Sequence, residues 1–148
     1  MEQQAIIRLN LESLILDDSK SFDLIMALEI IEHVTSPQLF IQSLRKLLNP
    51  EGILFISTIN RTVIAYLSTI IGAEYILGWI PLGSHQYVKY VTPQETKRWC
   101  EDSGMEWLAV EGMLLNPITL QWSLSEHITS INYICAVKLN QDVLKKAE

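Results

Sequence analysis

Charged residues, glycine and cysteine are all scarce in this sequence. Charged residues make up 19%, net charge is −6 and no Lys/Arg block stands out. A nucleic-acid-binding protein is therefore excluded, because phosphate contacts need a concentrated basic surface. The six glycines stand far apart and form no glycine-rich loop for a phosphate. The two cysteines, Cys100 and Cys135, form no metal-binding pattern, which predicts free, partly buried thiols.

What the sequence does contain is enough apolar material for a core. It has 148 residues, of which 49% are hydrophobic, so a disordered tail is excluded. No internal repeat, linker or targeting peptide is visible. The composition predicts one α/β domain over residues 1–148.

The first half of the chain predicts a β-α-β unit. A nearly continuous apolar run at 22–28 is typical of a strand buried on both faces. Ser36 and Pro37 then open an amphipathic helix over about 37–48. Residues 49–52 read as a turn, and 52–58 as a second buried strand. Further on, Thr92 to Glu95 form a capping box for a helix that ends near Gly104, and strands follow at 105–112 and 131–138.

Glu29, Glu32 and His33 follow the first predicted strand directly. Sites in open α/β sheets gather at the carboxyl ends of the strands. One helical turn here would bring Glu29 beside Glu32 and His33, and two carboxylates with an imidazole can hold a divalent cation. The competing interpretation is a solvated polar turn that ends the strand.

Residues 60–83 form an apolar insert with few charges. Its length approaches the 20 or so residues that a membrane span needs, but Glu74 and the glycines Gly72 and Gly78 count against a continuous span. The pattern favours two short pieces broken near Gly72. From the residues alone, the insert is either a lid on the core or a surface that dips into a bilayer.

Seven motifs, in unbroken order over about residues 20 to 138, resemble the ubiquinone biosynthesis O-methyltransferases (polyprenyl-dihydroxybenzoate methyltransferases), and the plant mitochondrial members most. The G-A-E-Y-I-L and N-P-I-T runs are the most specific of them. The motifs lie at residues 22–34, 49–52, 57–61, 72–77, 81–85, 116–119 and 131–133.

The resemblance implies a class I S-adenosylmethionine-dependent methyltransferase fold, which is Rossmann-like. It implies methyl transfer from S-adenosylmethionine to a catechol hydroxyl of polyprenyl dihydroxybenzoate and to demethylubiquinol. By the same resemblance, Leu28 contacts the methyl donor, and Glu29, Glu32 and His33 bind a divalent cation. That cation is usually given as Mg²⁺, with Zn²⁺, Mn²⁺ and Fe²⁺ left open. No catalytic residue is assigned.

The resemblance also implies a membrane partner. The insert at 60–83 corresponds to the family's membrane-association element, so we expect a peripheral protein on the matrix side of the mitochondrial inner membrane, or on the cytoplasmic membrane face in a bacterium. Other ubiquinone-biosynthesis proteins are further candidate partners.

The sequence departs from the family at the donor site. Members hold the donor with a glycine-rich loop after the first strand and an acidic residue that ends the second, and this chain begins after both. We therefore expect a partial domain that lacks the first strands of the fold. The alternative function is a catalytically inactive truncated form, acting as a membrane-peripheral partner in a ubiquinone-synthesis assembly.

Overall fold

A computed structural model describes residues 21–69 and 86–141. In this part of the chain five strands form one sheet in the order β1-β2-β5-β3-β4. The elements are β1 (Phe22–Leu28), α1 (Pro37–Lys46), β2 (Leu48–Ile59), α2 (Val63–Ala65), a 3₁₀ turn (Tyr87–Lys89), α3 (Pro93–Asp102), β3 (Met105–Leu115), β4 (Trp122–Ser125) and β5 (Asn132–Leu139).

The predicted β-α-β unit is confirmed. β1 and β2 run parallel with α1 between them, while β5 is antiparallel to both β2 and β3. The helix α1 ends two residues earlier than predicted because Leu47 caps it and Leu48 already pairs with Phe22.

The predicted turn at 49–52 is wrong, since these residues belong to β2. The register shifts between the Phe22–Leu48 and Leu24–Ile53 pairs, so the extra residues form an irregularity within the strand instead of a turn before it. Gly52 is needed there, because a Cβ atom on it would stand 2.8 Å from the carbonyl oxygen of Phe22.

The capping box of α3 forms as predicted. Thr92 Oγ1 accepts a hydrogen bond from the N–H of Glu95, and the Glu95 carboxylate accepts one from the N–H of Thr92 at 2.9 Å. The Arg61 guanidinium, which comes just after β2, reaches the same carboxylate at 2.8 Å and 2.9 Å. The start of α3 is thereby tied to the carboxyl end of β2. Beyond the helix, Gly104 takes the left-handed conformation that ends it, with φ of 77°.

The main core lies on one face of the sheet. Ile56 and Val137 of the central strands are fully buried there against Ile41 of α1 and Cys100 of α3. Both cysteines are free, as predicted, and buried more completely than expected. Burial raises the pKa of the Cys135 thiol to about 12, and it raises the pKa of Cys100 further.

The opposite face of β1 is open in the described part of the chain. Ala27 is 2% exposed, whereas Met26 beside it is 56% exposed, and Leu24 and Leu28 are exposed as well. The prediction that this strand is buried on both faces is therefore not met within residues 21–69 and 86–141, because α1 and α3 contribute to the core on the Ala27 side alone.

The apolar insert is described only in part. Thr62 caps α2 by accepting a hydrogen bond from the N–H of Ala65 at 2.9 Å. Residues 70–83, which hold the predicted break near Gly72, lie outside the described residues. Among the helices of the described ranges, none is long and apolar enough to cross a membrane. The division into one domain with an insert stays a prediction.

Candidate functional site

The candidate site begins where β1 ends. Leu28, predicted to contact the methyl donor, is the last residue of β1 and is paired with Ser57 of β2. Glu29 follows with φ of 52°, a conformation that costs a residue with a side chain about 1–2 kcal/mol. Ser57 holds it there. The N–H of Glu29 donates to Ser57 O at 3.0 Å and to Oγ at 3.1 Å, and Ser57 Oγ donates to Glu29 Oε1 at 2.8 Å.

The chain then makes one hydrogen-bonded turn that is not helical, and Glu29 precedes it, so the helical turn considered from the sequence does not form. The N–H of His33 donates to the carbonyl of Ile30 at 2.9 Å. This turn places the Glu32 carboxyl, which is 6% exposed, beside the Glu29 carboxyl, and there it accepts a hydrogen bond from the hydroxyl of Thr58 at 2.7 Å. His33 is exposed, with Nε2 lying 4.0 Å from Glu32 Oε1.

The two carboxyl groups repel one another in a desolvated site. Burial is the largest cause that raises the pKa of Glu29, to about 7, and the neighbouring Glu32 raises it further. Hydrogen bonds from Ser57 and Asn132 lower it only in part. Near pH 7 Glu29 is therefore divided between its protonated and its ionised form.

Ser57, Thr58 and Asn132 were not singled out from the sequence. They orient the two carboxyl groups, and two of them end a predicted strand beside the first one. Because parallel strands bring their carboxyl ends to the same edge of a sheet, this placement was a signal that could have found Ser57 and Thr58. Asn132 arrives from a distant antiparallel strand, and its one signal was its place in the family motif at 131–133.

A cleft of about 500 Å³ adjoins the turn. Such a volume suits a small-molecule ligand. Its walls mix apolar and ionisable side chains from the turn, the end of β2, the 3₁₀ turn and α3. They are Ile31, Glu32, His33, Val34, Thr35, Pro37, Arg61, Val88, Lys89, Tyr90, Val91, Glu95 and Trp99.

The predicted cation ligands are brought together but do not form a finished chelate. Within residues 21–69 and 86–141, no three His, Cys, Asp or Glu side chains are arranged to hold a metal ion. The donor chemistry nevertheless fits a cation, since Glu29 and Glu32 place two carboxyl groups side by side and His33 adds an imidazole nearby. The assignment of a cation to Glu29, Glu32 and His33 stays a prediction.

The mixed sheet is similar to the sheets of solved methyltransferases. A SAM-dependent methyltransferase from Thermotoga maritima superposes with a TM-score of 0.58 at 16% identity, over 80% of this chain and 56% of that one. The trans-methyltransferase CalH, solved with SAH, superposes with a TM-score of 0.57 at 20% identity, over 88% of this chain and 34% of that one. The predicted class I methyltransferase fold is confirmed.

The chain belongs to the methyltransferase-domain family, whose model matches residues 3–110. The resemblance to a narrower group is confirmed as well. The mitochondrial ubiquinone biosynthesis O-methyltransferase of Arabidopsis thaliana is 47% identical over 118 residues, which are 80% of this chain and 36% of that protein. The ubiquinone biosynthesis O-methyltransferase of Glaesserella parasuis is 40% identical over 136 residues, which are 92% of this chain and 57% of that protein. The chain thus spans about half the length, or less, of these curated relatives.

Proposed function

We propose that this chain serves an S-adenosylmethionine-dependent O-methyltransferase of ubiquinone biosynthesis. The observation that carries the proposal is the Glu29–Glu32 carboxyl pair, set at the carboxyl end of β1 in a chain that is 39–47% identical to enzymes of that name. The substrate would be a catechol with a polyprenyl tail, either the dihydroxybenzoate or demethylubiquinol. The methyl group would pass directly from the sulfonium of the donor to a catechol oxygen.

The residues of this chain would bind and position the reactants. Leu28 would pack against the donor, and the cleft beside the turn would hold the catechol ring away from water. Glu29, Glu32 and His33 would hold a divalent cation, Mg²⁺ or one of Zn²⁺, Mn²⁺ and Fe²⁺. When bound, such an ion lowers the pKa of a hydroxyl that it coordinates. Ser57 and Thr58 would fix the carboxylate oxygens, so that little reorganisation accompanies binding.

A polyprenyl substrate lives in a bilayer, and the described start of the insert suits a bilayer surface. Shortly after the end of β2, three apolar side chains of the insert are exposed, those of Val63, Ile64 and Leu67. We propose peripheral attachment through residues 60–83. The mitochondrial name of the Arabidopsis relative supports a mitochondrial location, and the matrix side of the inner membrane is part of the proposal.

Donor binding is the first experiment. S-adenosylmethionine is titrated into the chain by calorimetry, followed by transfer of a labelled methyl group to a soluble short-chain dihydroxybenzoate. Saturable binding with transfer supports the proposal. Intact folding without donor binding favours the alternative, an inactive partner in a ubiquinone-synthesis assembly.

The cation is tested separately by thermal unfolding. Mg²⁺ or Zn²⁺ should raise the melting temperature in a dose-dependent way, because an ion present at 100 times its dissociation constant stabilises the folded state by about 2.7 kcal/mol. Glu32→Ala should abolish this rise, while Glu126→Ala on the exposed surface should preserve it. An equal response in Glu32→Ala would remove the cation from the proposal.

Membrane attachment through the insert is tested with liposomes that contain cardiolipin. The chain should sediment with them, and Leu67→Asp together with Ile71→Asp should release it. Because apolar insertion dominates, added salt should change little. Loss of binding in moderate salt would assign the insert to a lid.

A further inference from the structure

The β3–β4 hairpin carries a second apolar surface. In its ladder Met113 pairs with Leu124 and Leu115 pairs with Trp122, so these four side chains share one face. The intervening pair, Leu114 with Ser123, points to the other face. Leu115, Trp122 and Leu124 are exposed, although large apolar side chains normally seek cover.

The tip of the hairpin extends this surface and is well ordered. Asn116 Oδ1 accepts hydrogen bonds from the N–H groups of Ile118 at 2.9 Å and Thr119 at 3.2 Å, and the N–H of Leu120 donates to Asn116 O at 2.8 Å. This network holds the side chains of Ile118, 91% exposed, and Leu120 outward in solvent.

The hairpin projects from the same end of the sheet as the candidate site, although β4 and β1 are opposite edge strands. Met113 pairs with Asn132 of β5, which pairs in turn with Ile59 at the carboxyl end of β2. The loop after β4 is fastened to the segment that leads into α2. Asn60 Nδ2 donates to Thr129 O at 2.8 Å and Thr62 Oγ1 donates to Ser130 O at 2.5 Å. The hairpin and the apolar start of the insert at 60–83 therefore lie at the same end of the sheet.

The charge and the area of this apolar surface together indicate which kind of partner would cover it. Residues 112–125 contain no Asp, Glu, Lys, Arg or His, although the chain as a whole carries a net charge of −6. A neutral, apolar tip matches the interior of a bilayer and offers no ion-pair partner to a soluble protein. The exposed fractions amount to a patch on the order of 500 Å², short of the ~800 Å² per partner of a standard protein interface. Trp122 within the patch is a residue type that is enriched where lipid meets water.

We propose that the β3–β4 hairpin inserts into the lipid surface, with Ile118, Leu120, Trp122 and Leu124 as the contacting side chains. The hairpin would be a second anchor, distinct from the insert at 60–83 and at the same end of the sheet. Two anchors would fix the orientation of the cleft toward the bilayer, where one would leave it free to tilt. The proposal rests on the proposed function only for the choice of a lipid partner.

The test compares the two faces of one strand. Leu124→Asp and Ser123→Asp add the same charge to adjacent exposed residues of β4, on opposite faces. Binding is measured by co-sedimentation with phosphatidylcholine vesicles. Leu124→Asp should weaken the vesicle partition coefficient about tenfold or more, and Ser123→Asp less than about twofold. Ile118→Asp should match Leu124→Asp, and because its side chain is almost entirely exposed it does not threaten folding.

Several results would overturn the anchor. Equal losses in Leu124→Asp and Ser123→Asp, or no loss in Ile118→Asp, would do so. A dimer would also overturn it, if sedimentation velocity shows that the parent chain is dimeric and that Leu124→Asp makes it monomeric without changing vesicle binding. The patch would then contact a second copy of the chain. Donor calorimetry on the same samples keeps the two proposals apart. If vesicle binding depends on Leu124 but the chain does not bind the donor, the proposed enzymatic function is contradicted and the proposed lipid anchor is retained.

Discussion

Glu29 combines a strained backbone with an unfavourable charge. Its φ of 52° persists because Ser57 bonds both its N–H and its carboxylate, and its pKa lies near 7 because burial and Glu32 both disfavour ionisation. Folded structures retain strain of this kind where the surroundings over-determine the conformation, and such places are often functional sites. The sequence predicted that Glu29 and Glu32 lie together here, but it did not identify Ser57 and Thr58 as their partners. It did not predict the left-handed conformation, because that depends on Ser57 from the neighbouring strand.

Glu29→Gln should make the protein more stable than the parent above pH 7 when a chelator is present. The folded-state pKa, about 7, is above the ordinary value of 4.5. The contribution of Glu29 to stability is therefore complete below pH 4.5 and is lost as the pH rises through 7. Glu29→Gln removes this pH-dependent loss in the free energy of unfolding, which is on the order of 2 kcal/mol. Urea unfolding between pH 4 and 8 measures it, with Glu126→Gln as the exposed control; parallel pH profiles for the parent and Glu29→Gln would contradict the prediction.

At the scale of elements, the helices were easier to predict than the ends of the strands. Pro37 and the Thr92–Glu95 box act locally, so their positions follow from sequence alone. The strand β4 was not predicted, and β2 begins four residues before the predicted start at 52. The early start of β2 follows from its pairing with the distant Phe22, which no local pattern encodes. β4 instead pairs with β3 across a short hairpin, and the turn residues Asn116 and Pro117 were a local signal that could have found it.

Glu95→Gln should weaken the capping of α3 at neutral pH. Burial raises the pKa of Glu95, but hydrogen bonds from Thr92 and the charge of Arg61 outweigh it, so the pKa is lowered overall. The stabilisation is therefore present above pH 4.5 and is lost as the pH falls through the lowered pKa. We expect a loss of about 0.5–1 kcal/mol at pH 7, which vanishes in acid. Glu101→Gln, at the other end of the helix, is the control, and thermal unfolding at both pH values decides.

Gly112→Ala should disrupt the packing under the hairpin. A Cβ atom there would lie 1.5 Å from the carbonyl oxygen of Ile128, a distance that forces backbone to move. The expected cost is about 3 kcal/mol or more in the free energy of unfolding. Gly104→Ala, which meets only the left-handed backbone penalty, should cost about 1–2 kcal/mol. A smaller loss at Gly112 than at Gly104 in urea unfolding would be inconsistent with this packing.

For the whole molecule, the described sheet is covered unevenly. The sequence predicted the core side well, since Ile56, Val137 and Leu54 fall in the predicted strands and are fully buried. It could not predict that Leu24, Met26 and Leu28 are open, because apolar residues on both faces of a strand look alike whether or not an element packs over each.

Met26→Lys should change the free energy of unfolding by less than about 0.5 kcal/mol, because the new ammonium group stays in water. Ala27→Lys, one residue on, should cost more than about 4 kcal/mol, since it places a charge in the core. Chemical denaturation of the two variants compares the faces directly. A large loss from Met26→Lys would mean that this face is covered in solution.

The buried cysteines make it possible to measure how often the core of the protein opens. Cys100 and Cys135 are the two cysteines of the sequence, and both lie almost wholly inside the core with raised pKa values. A thiol reagent attacks the thiolate, so neither sulfur reacts while the sheet and α3 stay together. Labelling then proceeds only during excursions that separate them. The rate at which a dye accumulates at Cys100 and Cys135 therefore reports how often the core comes apart under native conditions, without denaturant and without any engineered probe.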